Sequence, residues 1–280
     1  MAESQLASAR YEQPRLCLRG VPVFVYHGLA RSDAIDASSR ERKYWLRCEL
    51  FREHLDQIRS RGYQVRRLGE LWNEDTATPW RASTTVLTFD DGLASAYEIA
   101  YPLLLEAAVR ADFFVNTATI GRPGCLSWAQ VGEMQRAGMS FQSHSHDHVY
   151  LTWLAKGALE QQVRRSKQML EDRLGQRVDF LSAPYGDLNS QVVRVSQHEG
   201  YKAVCSSWSW PARPGSRVVS RVGIDRHTTP REFRRLLTGS PIGYVPRVAR
   251  GCLIYVPKRL VLRFRPSPPP LGYVPSSGEK

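Results

Sequence analysis

The chain has 280 residues, 42% of them hydrophobic and 24% charged, a composition typical of a globular protein with a sizeable core. No stretch approaches the roughly eighteen apolar residues that a membrane-spanning helix needs, so none is predicted. The first 20 residues lack a basic start followed by an apolar segment, so no secretory signal is expected.

An apolar run at residues 21–28 predicts the first buried strand, and strands then alternate with helices along the chain. Further strands are predicted at 84–89, 111–117, 178–184 and 201–207, and helices at 49–63, 101–110, 127–138, 158–175 and 190–200. Several helices end at glycine, and Ser127 with Gln130 predicts a capping box at the start of one of them. The alternation indicates parallel βαβ units, in a barrel or in an open doubly wound sheet.

Regular patterning decays after about Ser240, and residues 263–280 form a tail rich in Pro and Ser that we expect to be disordered. The sequence therefore predicts an N-terminal extension at 1–20, a catalytic domain at 21–240 and a basic, Pro-rich C-terminal extension at 241–280. Neither G-x-G-x-x-G nor a G-K-[ST] loop is present, which argues against nucleotide binding.

The cysteines are scattered, without a C-x-x-C pair, which indicates reduced thiols and not a disulfide framework or a zinc knuckle. There are five of them: Cys17, Cys48, Cys125, Cys205 and Cys252. Together with the lack of a recognisable signal, this predicts a cytoplasmic protein.

Basic charge is concentrated at the carboxyl end. Residues 201–280 contain 15 Lys and Arg but three acidic residues, an excess equal to the net charge of +12 of the whole chain. Such asymmetry indicates an anionic partner, and a peripheral contact with an anionic membrane is favoured over nucleic acid. Residues 251–266 interleave apolar and basic side chains, as a segment lying on a bilayer would. The alternative is a last strand with solvated arginines.

Two adjacent carboxylates, Asp90 and Asp91, follow the strand predicted at 84–89. Successive side chains of a strand point to opposite faces, so the pair can share a pocket only if the chain leaves the strand there. Gly92 makes that exit easy. The carboxyl ends of parallel strands build active sites, although Asp-Gly is also an ordinary turn signal.

A second cluster follows at residues 144–148, where His144, His146 and His148 fall within five residues. Residues i and i+4 lie on one face of a helix or of a strand, so His144 and His148 can converge. Imidazole with carboxylate suits zinc or a similar divalent metal, and two His with one Asp leave a position open for water. The alternative is a polar turn with incidental histidines.

The two clusters together explain the adjacent aspartates. One Asp binds the metal, and the other remains free to take a proton from water as it attacks a carbonyl. A bound cation favours ionisation of both carboxylates. The sequence therefore predicts a metal-assisted hydrolase of an amide or ester.

These motifs resemble those of the polysaccharide deacetylase (NodB-homology) family. They are "VYHG" at 25–28, "LTFDDG" at 87–92, "HSHDH" at 144–148 and "LSAPYGDLN" at 181–189. The likeness extends over roughly residues 21–237 and is strongest to the branch that deacetylates poly-N-acetylglucosamine and related exopolysaccharides. It implies a distorted (β/α)7 barrel and removal of N-acetyl groups from an amino sugar that is a glycan, an oligosaccharide or a lipid-linked saccharide.

Carried over to this chain, the resemblance implies that Asp90 is the general base. Asp91, His144 and His148 would bind one divalent ion, zinc before Co2+, Ni2+, Mn2+ or Fe2+. His146 is expected to face away from the metal.

The resemblance also implies a groove wall at Pro184 and Tyr185, where the backbone N–H of Tyr185 could stabilise an oxyanion. Two departures from the family pattern stand out. Ser182 occupies the position of an arginine that steadies the base in many relatives. The histidine that protonates the leaving amine is His27 by analogy with the exopolysaccharide branch, or else His227; His27 could also be a core residue.

Two other functions remain open. The same metal site could hydrolyse another amide, such as a cyclic imide or ureide. A catalytically degenerate, carbohydrate-binding relative is the non-enzymatic alternative, suggested by Ser182 and by the unclear protonating histidine. Trp128 and Trp208 could stack on sugar rings, although structural packing is favoured for each.

Overall fold

The computed structural model describes residues 18–31, 44–73 and 83–262, with the backbone alone over 254–262. Within these ranges, nine strands form one parallel sheet in the order β10-β9-β8-β7-β6-β5-β1-β11, with β4 paired to β5. These strands are β1 (Val23–Tyr26), β4 (Gln64–Val65), β5 (Thr84–Phe89), β6 (Asp112–Val115), β7 (Ser140–Ser143), β8 (Phe180–Ser182), β9 (Ala203–Cys205), β10 (Val218–Val219) and β11 (Val222–Gly223). The short strands β2 (Leu29–Ala30) and β3 (Leu46–Arg47) pair separately.

The sheet curls into a distorted barrel. Strands β10 and β11 end the strand order at opposite sides, yet only Ser220 and Arg221 separate them along the chain. Two intervening residues span at most about 10 Å, so the two ends of the sheet must approach each other. The predicted barrel is therefore confirmed, and it brings the carboxyl ends of its strands around one opening.

Helices cover the sheet, as a parallel sheet with nearly continuous apolar strands requires. They are α1 (Cys48–Ser60), α2 (Leu68–Asn73), α3 (Tyr101–Glu106), α4 (Trp128–Arg136), α5 (Lys156–Leu174), α6 (Ser190–His198), α7 (Pro230–Leu237) and α8 (Pro241–Leu262). A turn of π-helix (Ala96–Ala100) precedes α3. The stacked rings of Phe89, Phe113 and Phe141 on β5, β6 and β7 form part of the core, with centroids 4.9 and 5.5 Å apart.

Local sequence signals are confirmed in detail. Ser127 caps α4, and both hydrogen bonds of the predicted capping box with Gln130 are present. Helix α5 ends at Gly175, which is left-handed with φ +65°. Among the described residues, the four cysteines are free thiols, as expected.

The prediction that regular structure ends near Ser240 is wrong, because α8 continues to Leu262. Tyr244 is buried against α7 and donates from its hydroxyl to the carbonyl of Leu236 at 2.9 Å. The strand considered for residues 253–256 is therefore helix.

No helix within the described ranges is both long and apolar enough to cross a bilayer. The Pro/Ser-rich tail lies outside the described residues.

Candidate metal centre and active site

Asp90 and Asp91 share a pocket because the backbone leaves the strand between them. The N–H of Asp90 still donates to the carbonyl of Tyr26 on β1, at 2.9 Å. Asp91 and Gly92 are then both left-handed, with φ +73° and +66°. A Cβ at position 92 would also lie 3.1 Å from the side chain of Val115, so both the backbone conformation and the limited space favour glycine there.

Asp91 lies between two imidazoles at the carboxyl end of the sheet. Its Oδ1 is 3.3 Å from Nε2 of His144, just after β7, and 3.3 Å from Nε2 of His148, which is left-handed with φ +54°. One ligand atom from each residue lies within 4.8 Å of the others. The opposite nitrogen of His144, Nδ1, is 2.8 Å from the carbonyl of Ser182. That contact directs Nε2 toward the cluster, as outer hydrogen bonds do for metal-binding histidines.

The electrostatics suit a cation. Burial alone would raise the pKa of Asp91, but hydrogen bonds from His144 and His148 lower it well below its usual range. One carboxylate and two imidazoles that converge in this way fit a divalent ion such as zinc.

His146 faces away from this cluster, as expected. Its Nδ1 lies 2.7 Å from the hydroxyl of Thr117, and its Nε2 lies 3.6 Å from Asp147. The first and last histidines of the motif therefore face Asp91, whereas the middle one faces Thr117.

Asp90 forms a buried ion pair with Arg221, a residue that the sequence analysis missed. Two nitrogens of the guanidinium donate to the two carboxylate oxygens, each at 2.7 Å. Both side chains are almost fully inaccessible. Burial would raise the pKa of Asp90, but the charge of Arg221, the charge of His144 and the hydrogen bonds from Arg221 together outweigh it, so the pKa is lowered and the carboxylate stays ionised.

The remaining donors of Arg221 also form hydrogen bonds, and these help to offset the cost of removing its charge from water. Its guanidinium donates to the hydroxyls of Ser182 and Thr88 at 2.7 and 3.2 Å and to the carbonyl of Ser206 at 3.3 Å. The hydroxyl of Ser182 in turn donates to Asp90 at 3.0 Å. Arg221 therefore reaches Asp90 from the connection between β10 and β11, and Ser182 forms hydrogen bonds with both groups.

The missed arginine did leave a signal in the sequence. Arg221 is the one charged residue in the apolar run "VVSRVGI", at 218–224. A charge in such a run is costly to bury unless it is paired, so it points to a buried acidic partner. The sequence alone did not identify that partner.

His27 and His227 have different surroundings. His27 follows β1, and its pKa is lowered by burial, an effect that the charges of Asp91 and Asp90 oppose. Its ring stacks on Tyr44 with centroids 5.0 Å apart. His227 is exposed, and its backbone N–H donates to Asp225 at 3.0 Å. The charges of both carboxylates therefore act on His27, whereas His227 is exposed on the surface.

Pro184 and Tyr185 follow β8 in a short helical turn, Pro184–Gly186. Pro184 is buried, whereas Tyr185 is 45% exposed and left-handed, with φ +61°. The Tyr185 ring packs on His148 with centroids 4.8 Å apart, so it borders the cluster.

The two tryptophans differ in their surroundings. The ring of Trp128 lies under the guanidinium of Arg173, at 5.4 Å, and packs against the core. Trp208 is 43% exposed. Trp128 therefore has the packing role that was favoured.

The fold and the site together place the chain in a structural class. Its members are curled α/β barrels with a centre of two histidines and one aspartate at the carboxyl edge of the sheet. The chain contains a polysaccharide deacetylase domain, because residues 78–204 match the family model described as Polysaccharide deacetylase. This confirms the family resemblance of the motifs.

Two curated relatives share 25% identity with the chain. One is the Bacillus subtilis protein YxkH, whose name describes it as a polysaccharide deacetylase. The alignment with YxkH extends over 194 residues, which are 65% of this chain and 62% of YxkH. The other is the poly-beta-1,6-N-acetyl-D-glucosamine N-deacetylase of Staphylococcus aureus, over 130 residues, which are 41% of this chain and 45% of the relative. The chain thus spans about half to three fifths of the length of these relatives.

Solved structures support the fold. The Streptococcus pyogenes deacetylase PplD in complex with acetate superposes with a TM-score of 0.70 at 23% identity, covering 79% of this chain and 99% of PplD. IcaB from Ammonifex degensii superposes with a TM-score of 0.68 at 24% identity, covering 79% of this chain and 97% of IcaB.

Proposed function

We propose that this protein is a metal-dependent N-deacetylase of an N-acetylated amino sugar. The observation that carries the proposal is the pairing of a three-residue cation site with a separate ionised carboxylate. The Oδ2 of Asp90 lies 4.0 Å from the Nε2 of His144, while both of its oxygens are held by Arg221. A site that only binds a sugar has no need of a free base beside a metal site.

Asp91, His144 and His148 would hold the ion, since their ligand atoms already converge. When bound, a divalent ion there would polarise the acetyl carbonyl and make nearby water more acidic. Zinc suits this donor set, and Co2+, Ni2+, Mn2+ and Fe2+ are the alternatives that a reconstitution series tests.

Asp90 is the base in this proposal. It takes a proton from the water that attacks the acetyl carbon, because Arg221 keeps it ionised and fixes its orientation. The C–N bond then breaks, the acetyl group leaves as acetate and the sugar keeps a free amine.

We assign protonation of the leaving amine to His27. The charges of Asp91 and Asp90 help this imidazole to carry a proton despite its burial. Pro184 and Tyr185 form the groove wall, where the backbone N–H of Tyr185 donates to the developing oxyanion.

The name of the S. aureus relative suggests the substrate class, a polymer of N-acetylglucosamine. The test is acetate release from β-1,6-linked N-acetylglucosamine oligomers, chitooligosaccharides and free N-acetylglucosamine, before and after metal reconstitution. Acetate should appear only with metal, and His144→Ala should release none.

Other outcomes would support the two alternatives. Hydrolysis of a cyclic imide or ureide, with no acetate from any glycan, would identify a different C–N hydrolase. Glycan binding without turnover by the metal-loaded protein would identify a binding relative.

For location, we propose a cytoplasmic protein that contacts an anionic bilayer through α8. Ile242, Val245 and Leu253 are 65%, 54% and 76% exposed and recur at helical spacing. Arg250 is also exposed on this helix, and the region after residue 200 accounts for the whole net positive charge of the chain. Each cation near an anionic surface contributes about 1 kcal/mol, which favours lipid as the occupant of this apolar face.

Co-sedimentation with anionic vesicles tests this contact. Ile242, Val245 and Leu253 are changed together to Ser, and Leu105→Ser on α3 is the control because that leucine is 49% exposed. Binding should fall in the triple variant and in high salt, but not in the control. Equal binding by the triple variant would overturn the proposal, and a smaller oligomer on gel filtration would identify a second copy as the occupant.

A further inference from the structure

Four aromatic rings lie in series from the metal centre outward. The ring of His148 packs on Tyr185, Tyr185 stacks on Tyr150 with centroids 3.9 Å apart and planes at 14°, and Tyr150 stacks on Trp153 at 4.0 Å and 17°. We call Trp153, Tyr150 and Tyr185 the aromatic stack. Because Tyr150 lies between two rings, both faces of its own ring are covered.

The backbone at the inner end of the stack is in a costly conformation. Tyr185 and His148 are both left-handed, with φ +61° and +54°, and neither is glycine. That conformation is unfavourable for a residue other than glycine, so the surroundings must hold it. Stacking of two aromatic rings stabilises their contact beyond the burial of their surface, so the ring of Tyr150 can offset part of that strain.

A hydrogen bond fixes the outer part of the stack to the same loop. The hydroxyl of Thr152 donates to Asp187, two residues after Tyr185, at 2.6 Å. Thr152 lies in the short 3-10 helix Leu151–Trp153, which Leu151 anchors in the core. The segment that carries Tyr150 and the turn that carries Tyr185 are therefore joined at two places.

We propose that Tyr150 is a positioning residue for the deacetylation reaction. Its ring holds Tyr185 in the left-handed conformation and so directs the Tyr185 backbone N–H toward the carbonyl of the substrate. This inference rests on the proposed function, in which that N–H stabilises the oxyanion.

The kinetic test compares Tyr150→Ala with Tyr150→Phe. Loss of the ring should lower kcat about 10- to 100-fold, less than removal of a whole oxyanion donor, which costs about 10²–10³-fold. KM should change less than threefold and zinc content should be unchanged, while Tyr150→Phe should restore kcat because it keeps the ring. Tyr97→Ala is the matched control, since Tyr97 stacks on Tyr101 in another part of the fold, at 5.7 Å.

A second measurement does not depend on turnover. In zinc-loaded protein labelled with 15N-tyrosine, acetate should shift the Tyr185 amide signal in the wild type and in Tyr150→Phe, but not in Tyr150→Ala. No response of this amide in the wild type, or an equal response in Tyr150→Ala, would overturn the proposal. So would Tyr150→Phe being as impaired as Tyr150→Ala, or zinc being lost from Tyr150→Ala.

The two measurements separate this inference from the proposed function. If the amide responds as expected but no glycan releases acetate, the positioning role stands and the assigned reaction fails. If acetate is released but the amide of Tyr150→Ala responds normally, the reaction stands and the positioning role fails.

Discussion

His54 and His144 are both buried, but in opposite surroundings. His54 on α1 stacks on Phe233 with centroids 3.9 Å apart, and its Nδ1 lies 3.2 Å from the hydroxyl of Tyr26. Burial lowers its pKa to about 3. Burial also acts to lower the pKa of His144, but the charges of Asp90 and Asp91 outweigh it, so that pKa is raised. Burial alone therefore makes a neutral packing residue, whereas neighbouring carboxylates raise the pKa of a histidine that is just as buried.

Removing one imidazole of the proposed cation site is the strongest test of the difference between His54 and His144. His144→Ala should abolish both zinc retention and acetate release, because Asp91 and His148 alone leave the ion underliganded. Zinc is measured by elemental analysis after gel filtration. His146→Ala is the control, since that ring faces Thr117, and it should retain the metal. Full zinc occupancy in His144→Ala would remove this residue from the site.

Neutralising the separate carboxylate should affect turnover and not metal binding. Asp90→Asn should retain zinc and lower kcat by about 10²- to 10⁴-fold, the usual contribution of a general base. Asp147→Asn is the matched control, because Asp147 is exposed and bonds Gln162. Near-normal turnover of Asp90→Asn would exclude Asp90 as the base.

The buried ion pair predicts a large effect on stability. Arg221→Met leaves Asp90 charged and unpaired, so the free energy of unfolding should fall by about 3–5 kcal/mol. Adding Asp90→Asn should recover part of that loss, since the orphaned charge is gone. Urea unfolding of the two single variants and the double variant measures the coupling. Strictly additive losses would contradict the pairing.

The two candidate proton donors should separate by at least tenfold. His27→Gln should lower kcat more than His227→Gln, because the charges of Asp91 and Asp90 act on His27 whereas His227 is exposed. Steady-state acetate release under saturating substrate measures the difference. The reverse order would assign the proton donor to His227 and a packing role to His27.

The smallest effect concerns the neutral histidine. The pKa of His54 is about 3 in the folded protein and about 6.5 when unfolded, so the unfolded chain binds the extra proton as the pH falls below 6.5. The contribution of neutral His54 to the free energy of unfolding is fully present above pH 6.5 and decreases as the pH falls toward 3. His54 should account for a loss of about 1 kcal/mol between pH 7 and 5.5, which His54→Phe removes. A pH profile unchanged by that variant would show that His54 does not cause the loss.

Short-range signals predicted most of the fold. The capping box at Ser127 and Gln130 and the turn at Gly92 involve residues close together in the chain, so composition and spacing reveal them. The sequence also predicted that His144 and His148 converge, since the two residues are close together in the chain and both contact Asp91.

Contacts between distant segments were not predictable in the same way. The pairing of Arg221 with Asp90 depends on barrel curvature, which the pattern of either segment does not specify. Helix α8 was missed because Pro246 and Pro257 interrupt its pattern, and prolines ordinarily argue against a helix interior. Tertiary packing of Tyr244 outweighs that local preference.

The position of Arg221 has a consequence for protein synthesis. It follows Asp90 by 131 residues, and the metal-site residues all precede it. A chain emerging from the ribosome therefore exposes the three metal ligands well before the base acquires its counter-charge. Asp90 therefore cannot form its buried ion pair until the segment between β10 and β11 has been synthesised.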